Sequence, residues 1–365
     1  MAAANWKPLQ RSYYTLHVCL FLLQRLDELY RNQIRYSFAY YDLRGEVYAI
    51  RDGLFQELVT QVNEMRPGNL SELSIGRWAE TIGFLAEHAF PKAHGPVDWA
   101  SVYALIWWNL ILESPLAAEL REQEMTRLAA EARQEMNGSY RKDRLVLAQL
   151  LHLVKSGDDQ DAMKLVDAQL HDVKLDDFYP YLGYFVENEA WDRLLTWLEW
   201  LAPEAAHSPP KQMLEYFAYW EQLKEHLEVE PQWKRMVFGM MPNSYAYYSS
   251  YLLEREEFQA WVDLNLLLRT NPLATPSVAI KAVEAKRREL LLPWYHHAAE
   301  QFIAEKNREA YKRAVRVLRK LKATYKRLKQ QRRWEAYMQY LMKRYSRLRA
   351  FQEELSKLRK GEDSA

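Results

Sequence analysis

The histidine pair beside a carboxylate is the strongest candidate for chemistry in this sequence. His296 and His297 are followed by Glu300. On a helix His296 and Glu300 would lie one turn apart, where they could share a metal ion. Adjacent histidines, however, point about 100° apart on a helix, and the remaining ligands of a metal site are missing from the sequence. We therefore predict no metal site and expect these side chains to pack or to contact a partner.

Motifs that carry catalytic or cofactor chemistry are absent from the sequence. It contains no Gly-x-Gly-x-x-Gly turn, no phosphate-binding lysine loop and no Gly-x-Ser-x-Gly nucleophile turn. Cys19 is the only cysteine, and the run around it, LHVCLFLL, is typical of an amphipathic helix, which favours a packed thiol over a nucleophile. We predict a protein that is not an enzyme and has no cofactor. An enzyme with an unrecognised pocket is the alternative.

The distribution of charge points to a binding function. The net charge is +1, yet residues 286–360 contain 23 Lys and Arg against 7 Asp and Glu, whereas residues 1–285 contain 27 against 40. Residues 310–333 include no acidic residue. The cations there lack the opposite charges that usually support a solvated helix face. A basic end of this kind indicates an anionic partner.

Three partners for the basic end stay open. The cations could meet the acidic remainder of the same chain in an intramolecular clamp, they could bind an acidic protein, or they could bind the phosphates of DNA or RNA. We predict a nucleic-acid or partner-binding surface made of Lys312, Arg313, Arg316, Arg319, Lys320, Lys326, Arg327, Arg332 and Arg333.

Helices must position these side chains, because helix-forming residues dominate the sequence. Apolar residues recur at helical spacing between breaks at prolines, and Gly is scarce. We predict an all-α fold of stacked antiparallel helical hairpins, an α-solenoid or tetratricopeptide-like array that ends in long basic helices. We expect an N-terminal helical region (1–145), a helical-hairpin repeat region (146–290) and basic C-terminal helices (291–360). Residues 201–211, LAPEAAHSPPK, are the most linker-like stretch.

An internal repeat supports the hairpin architecture. Residues 181–201 align without gaps to residues 248–268, with matching tyrosines, a Glu-x-Glu turn and an aromatic residue after the turn, which is Trp191 or Phe258. Looser copies occur at residues 151–170 and 302–321. One such hairpin cannot bury its apolar face alone, so hairpins must stack. We expect the aromatic residue to wedge between the two helices of its own pair.

No segment of the sequence is long and apolar enough to cross a bilayer. The longest apolar stretch, residues 99–112, has 14 residues and contains Asn109, so we expect a buried core helix. The first residues lack the basic-then-apolar order of a secretory signal, and a single cysteine suits a reducing compartment. We therefore expect a soluble, cytoplasmic protein without membrane contact. The sequence does not determine its oligomeric state.

The basic C-terminal region resembles a known family. The resemblance rests on LLPWYH at 291–296, EKNREAYKRAV at 305–315, LRKL at 318–321, YKRLK at 325–329, RW at 333–334 and RLRAFQEEL at 347–355. These segments are similar to the C-terminal region of bacterial SWIM zinc-finger proteins. That family carries a Cys-x-Cys…Cys-x-His zinc module nearer its N-terminus, which this sequence lacks, so zinc binding is not carried over. The resemblance implies a helical scaffold in nucleic-acid transactions, with a helicase-like ATPase as its neighbour.

Overall fold

Helices account for all of the regular secondary structure that the computed structural model describes. The described residues are 6–34, 40–65, 75–92, 95–114, 117–171 and 173–360, and no strand occurs among them. The predicted all-α class is therefore confirmed. Helices that follow one another through short turns pack against each other, as α-hairpins do.

The helices follow one another in chain order. They are α1 (Pro8–Leu29), α2 (Tyr40–Glu64), α3 (Ile75–His88), α4 (Trp99–Ile106), α5 (Ala117–Gln134), α6 (Tyr140–Ser156), α7 (Asp159–Gln169), α8 (Tyr179–Glu187), α9 (Trp191–His207), α10 (Pro210–His226), α11 (Glu230–Gly239), α12 (Tyr245–Glu254), α13 (Phe258–Leu267), α14 (Ser277–Arg287), α15 (Leu291–Ala304), α16 (Arg308–Arg327), α17 (Gln331–Arg344) and α18 (Arg349–Lys360). A π-helical turn, Trp107–Ile111, continues α4, and another, Tyr30–Ile34, continues α1.

The chain divides into two compact units. The described residues up to Glu204, together with Tyr219–Leu227, form the first unit, and Ala205–Ala218 with the described residues from Glu228 onward form the second. Each unit has its own core of large aromatic side chains. Trp107 and Trp197 are fully buried in the first, and Trp261 and Trp294 in the second. The three-region division of the sequence remains a prediction.

The repeated segments form helix–turn–helix hairpins, as predicted. In α8–α9 the turn residue Glu189 has φ of 52°, and in α12–α13 the equivalent Glu256 has φ of 59°. The hydrogen bonds also correspond: the N–H of Ala190 binds the carbonyl of Phe185, and the N–H of Glu257 binds that of Leu252, both at 2.8 Å. A left-handed residue with this bond is a common way to end a helix.

The looser copies of the repeat use the same kind of helix ending. A left-handed residue follows the first helix of each pair, Gly157 (φ 84°) between α6 and α7 and Lys306 (φ 54°) between α15 and α16. Glycine adopts this conformation without a steric cost, whereas a lysine must be held there by the packing of its neighbours.

The aromatic residue after the turn has different surroundings in the two hairpins. Phe258 is buried at the start of α13. Trp191, instead of wedging between the helices of its own pair, stacks on His226 of α10, with ring centroids 3.9 Å apart. In this hairpin Phe185 of α8 contacts Trp197 of α9 instead, with ring centroids 5.9 Å apart.

The linker-like stretch 201–211 is largely helical. Helix α9 continues through Pro203 to His207, and α10 begins at Pro210. Leu201 and Ala205 are buried on either side of the proline. A proline inside a helix removes one backbone hydrogen bond, and the burial of these two side chains offsets the free-energy cost of that loss. Composition alone does not reveal this burial.

The apolar stretch 99–112 is a buried core element, as expected. It forms α4 and the π-helical turn after it, and Trp99, Ile106, Trp107 and Leu110 are all buried. Across the described parts of the chain, no helix combines the length and the apolar character needed to span a membrane.

Candidate anion-binding surface

Helix α16 has an apolar face and a basic face. Asn307 caps its N-terminus by accepting a hydrogen bond from the N–H of Ala310 at 2.8 Å. With about 100° per residue, the buried positions fall on one arc and most of the Lys and Arg residues on the opposite arc. The buried residues are Ala310, Tyr311, Ala314, Val315, Val317, Leu318, Leu321, Thr324 and Tyr325.

Neighbouring helices cover the apolar face of α16. The ring of Tyr311 lies 5.6 Å from Phe351 in α18, and the ring of Tyr325 lies 6.3 Å from Trp334 in α17. Burial of a large apolar side chain stabilises a fold by roughly 1.5–3 kcal/mol. The packing of these rings therefore holds the basic face of α16 toward solvent.

Several of the predicted surface residues have acidic or polar partners. Lys312 pairs with Glu309 at 2.6 Å, Arg313 with Glu305 at 2.5 Å, and Arg327 with Glu284 at 3.7 Å. The guanidinium of Arg313 also lies 4.7 Å from the centre of the Phe302 ring, and that of Arg333 donates a hydrogen bond to Gln330 at 3.0 Å.

The other predicted surface residues form neither an ion pair nor a side-chain hydrogen bond within the described part of the chain. They are Arg316, Arg319, Lys320, Lys326 and Arg332. The structure thus separates the candidate residues into a paired set and an unpaired set. We call the unpaired set the basic row.

The basic row follows one side of α16 and continues onto the first turn of α17. Helical geometry places Arg316, Arg319 and Lys320 within one turn of each other, and Lys326 lies about 15 Å from Arg316 along the axis. Arg332 is the second residue of α17. All of these side chains are exposed except Lys320, which is partly buried.

Two titratable side chains near the basic row have shifted pKa values. The pKa of Lys322 is lowered, chiefly because burial disfavours its charged form and also because of the positive charge of Lys326. At the N-terminal end the pKa of Glu309 is also lowered, chiefly by its hydrogen bond from Lys312, with a smaller contribution from the charge of Arg316. The charges of Arg316 and Lys326 thus act on neighbouring groups at both ends of α16.

The ion pairs that the basic helices form are local. Arg308 of α16 lies near Glu353 and Glu354 of α18, and Arg344 of α17 lies 3.8 Å from Glu300 of α15. These carboxylates, like Glu305 and Glu309, belong to the C-terminal helices themselves, and Glu284 belongs to the adjacent helix α14. The pairs thus leave the basic row available for another anion.

The two histidines and Glu300 have different surroundings. His296 Nε2 lies 2.8 Å from the Tyr325 hydroxyl, and its ring contacts Tyr337 edge-on at 4.1 Å. Burial lowers the pKa of His296 to about 4, so the imidazole is neutral at pH 7. His297 is exposed, and Glu300 faces Arg344. Within the described ranges no group of three or more His, Cys, Asp or Glu side chains is placed to hold a metal ion.

A buried polar network in the first unit was not predicted from the sequence. The Tyr103 hydroxyl donates to Glu124 at 2.9 Å and lies 2.8 Å from His152 Nε2, which must therefore carry the proton and donate to the Tyr103 oxygen. Arg127 donates to Glu124 at 2.6 Å. Burial, together with the charges of Arg121 and Arg127, lowers the pKa of His152 to about 3.

This network is built to hold helices together. His152 is fully buried and Tyr103 and Glu124 nearly so, and the three side chains join α4, α5 and α6. Their positions in sequence are too far apart for spacing to reveal the contact. Cys19 is also buried, as predicted, and burial raises the pKa of its thiol.

Comparisons with known proteins provide a relative without an assigned activity. No protein-family model matches the chain, and no solved structure matches it. The chain is 31% identical over 188 residues to the uncharacterized protein YwqB of Bacillus subtilis (strain 168). The match covers 49% of this chain and 35% of that protein, so the chain spans about a third of the length of the relative.

Proposed function

We propose that this protein is a non-enzymatic helical interaction scaffold that binds nucleic acid through the basic row on α16 and α17. The observation that carries the proposal is the set of unpaired cations at 316, 319, 320, 326 and 332, held outward by the buried face of α16. The resemblance of the same region to SWIM zinc-finger proteins supports it further.

Phosphates suit this row because they require charge and spacing rather than a shaped pocket. Residues three or four apart on a helix are neighbours with Cβ atoms about 5–6 Å apart, close to the distance between successive phosphates along a strand. Lys and Arg bound to phosphates release condensed counterions, which makes affinity strongly salt-dependent. Arginine can in addition bind a phosphate through two parallel hydrogen bonds.

An acidic protein surface is the competing partner. It would also use the basic row, but it presents fixed carboxylates and no repeating phosphate spacing. Binding to many unrelated oligonucleotides with the same salt dependence therefore supports nucleic acid and does not fit a single acidic protein partner.

The test is charge reversal of the three cations in the middle of α16. The variant R316E/R319E/K320E should lose binding to fluorescein-labelled single- and double-stranded oligonucleotides in anisotropy titrations, while its circular dichroism stays that of the parent. The control K164E/K211E/K234E makes the same change in net charge at exposed or partly exposed lysines elsewhere, and should bind as the parent does.

The neutral variant R316Q/R319Q/K320Q adds a quantitative check. If each cation contacts one phosphate, the slope of log K against log salt concentration should become shallower by about 2 on single strands and about 2.7 on duplex DNA. Unchanged affinity in the charge-reversal variant would mean that another surface binds. Absence of oligonucleotide binding by the parent, even at low salt, would reject nucleic acid and leave an acidic protein as the partner.

A further inference from the structure

A pocket beside the first turns of α1 plays no part in the proposed function. It has a volume of about 440 Å³ and lies between the N-terminal part of α1 and helix α3. The described residues that line it are Trp6, Gln10, Tyr13, Tyr14, His17 and Glu80. We call it the aromatic pocket, because most of these side chains carry a ring. No Lys or Arg is among the described residues of its lining.

The rings of the aromatic pocket stand at steep angles to one another. Residues three or four apart on a helix are neighbours, so Gln10, Tyr14 and His17 share one side of α1. The rings of Trp6 and Tyr14 lie 4.9 Å apart with an angle of 72° between their planes. Those of Tyr13 and His17 lie 4.5 Å apart at 53°. Rings arranged in this way form the walls of a pocket and not a flat stack.

Several polar groups of the aromatic pocket already have hydrogen-bond partners. The Tyr13 hydroxyl lies 3.3 Å and His17 Nε2 lies 3.0 Å from the hydroxyl of Thr81, which is fully buried. The side-chain oxygen of Gln10 accepts a hydrogen bond from the N–H of Lys7 at 3.2 Å. These bonds hold the rings in place. They also leave few acceptors for a ligand that must satisfy N–H groups of its own.

The charge of the aromatic pocket favours a cation. The carboxylate of Glu80 is exposed and forms neither an ion pair nor a hydrogen bond with the described residues. Burial lowers the pKa of His17, and the negative charge of Glu80 only partly opposes this shift, so the imidazole is mostly neutral at pH 7. The described lining therefore presents one negative charge beside neutral rings, whose faces attract cations.

We infer that the aromatic pocket binds a quaternary ammonium group, which contacts the rings of Trp6 and Tyr14 and lies near the carboxylate of Glu80. A quaternary ammonium has no N–H group to satisfy, so the occupied acceptors of the pocket cost it nothing. Aromatic side chains commonly recognise such groups. The inference is independent of the nucleic-acid surface, because the aromatic pocket lies in the first unit and the basic row in the second.

The test compares probes that differ from choline in charge or in methylation. Choline carries the quaternary group, dimethylbutanol replaces its nitrogen by carbon and is neutral, and ethanolamine carries an unmethylated ammonium. In calorimetric titrations of the full chain, choline should bind at least tenfold more tightly than either of the others. No binding of choline, or binding no tighter than that of dimethylbutanol or ethanolamine, would overturn the inference.

A free compound and a trimethylated lysine side chain both carry the quaternary group. A titration with a short peptide that contains trimethyllysine separates these two sources. Tighter binding of the peptide than of choline would assign the group to a lysine side chain, and weaker binding would assign it to a free compound. The unmethylated peptide is the control and should bind at least tenfold less tightly than the methylated one.

Three substitutions locate the binding site. W6L and Y14L each remove one ring and keep an apolar side chain, and E80Q removes the negative charge. Each should weaken choline binding about fivefold, which corresponds to about 1 kcal/mol and lies within the range of cation–π contacts. Tyr14 and Glu80 are exposed, so Y14L and E80Q should leave the fold intact.

Two further variants are matched controls. Y14F keeps the ring and should bind choline as the parent does. E46Q removes a charge from an exposed side chain outside the described lining, and it should also bind as the parent does. Glu46 is about 27 Å along α2 from Glu64, whose carboxylate accepts a hydrogen bond from Ser12 of α1 at 2.9 Å. If Y14L and E80Q both fold and bind choline with the parent's affinity, the aromatic pocket is not the site.

Discussion

Replacement of His152 by glutamine should remove one component of the acid sensitivity of the first unit. In the folded protein His152 is fully buried and has a pKa of about 3, against 6.5 for a histidine exposed to water. Below pH 6.5 the unfolded chain therefore binds a proton that the folded chain does not. The stability contributed by this group is fully present above pH 6.5 and is lost as the pH falls toward 3.

The size of the effect follows from this difference in pKa. Each unit of pH over which only the unfolded state is protonated costs about 1.36 kcal/mol. Between pH 6.5 and pH 4.5 the loss from His152 alone is about 2 kcal/mol, since the unfolded histidine is already half protonated at the upper limit. H152Q cannot take up this proton, yet its side-chain amide can still donate to the Tyr103 oxygen.

The assay is urea unfolding of the parent and H152Q at pH 6.5, 5.5 and 4.5, followed by tryptophan fluorescence. The parent should lose about 2 kcal/mol more than H152Q between the two extreme pH values. If the units unfold in separate steps, the difference belongs to the step of the first unit. Parallel pH dependences of parent and variant would refute the reasoning, because they would mean that His152 is protonated in the folded state or is not buried.

Two further outcomes are expected from exposed positions. Y340A should weaken binding to single-stranded oligonucleotides about tenfold and leave duplex binding nearly unchanged. Tyr340 is 44% exposed on α17 beside Arg344, and stacking of a base on an aromatic ring is worth roughly 1–3 kcal/mol. Equal losses of affinity for both substrates in anisotropy titrations would contradict a stacking role. E189G should raise the free energy of unfolding by about 1 kcal/mol, since Glu189 holds a left-handed conformation that glycine adopts freely. The control N188G changes the adjacent position, where φ is −103°, and should lower the free energy of unfolding in the same urea titrations.

The sequence predicted those features that depend on local periodicity. The two faces of α16 follow from the spacing of Tyr311, Leu318 and Tyr325, and the repeated hairpins follow from the matching tyrosines and Glu-x-Glu turns. Both patterns extend over several turns of helix, so a single tertiary contact does not alter them. The course of α9 through Pro203 was not predicted, because it depends on the burial of Leu201 and Ala205 in the folded chain.

Features that depend on contacts between distant residues could not be predicted. The stretch 310–333 has no acidic residue, yet Arg313 and Arg327 find Glu305 and Glu284 outside it. The Tyr103–Glu124–His152 network likewise joins three helices. The packing of the helices determines which of these groups come into contact, and that packing cannot be deduced from composition.

The positions of the unpaired cations differ in whether a positive charge there stabilises the helix. Lys326 lies in the last turn of α16, where the negative end of the helix dipole favours a cation by about 0.3–1 kcal/mol. Arg316, Arg319 and Lys320 lie in the middle of the helix, where the dipole offers nothing and like charges three or four residues apart repel. Arg332 is in the first turn of α17, which contains no acidic residue and whose positive dipole end disfavours it. Apart from the attraction between Arg316 and Glu309, neither an ion pair nor the helix dipole accounts for these four cations. An anion bound across them would offset the repulsion between neighbouring like charges, which is why the substitutions at 316, 319 and 320 test binding directly.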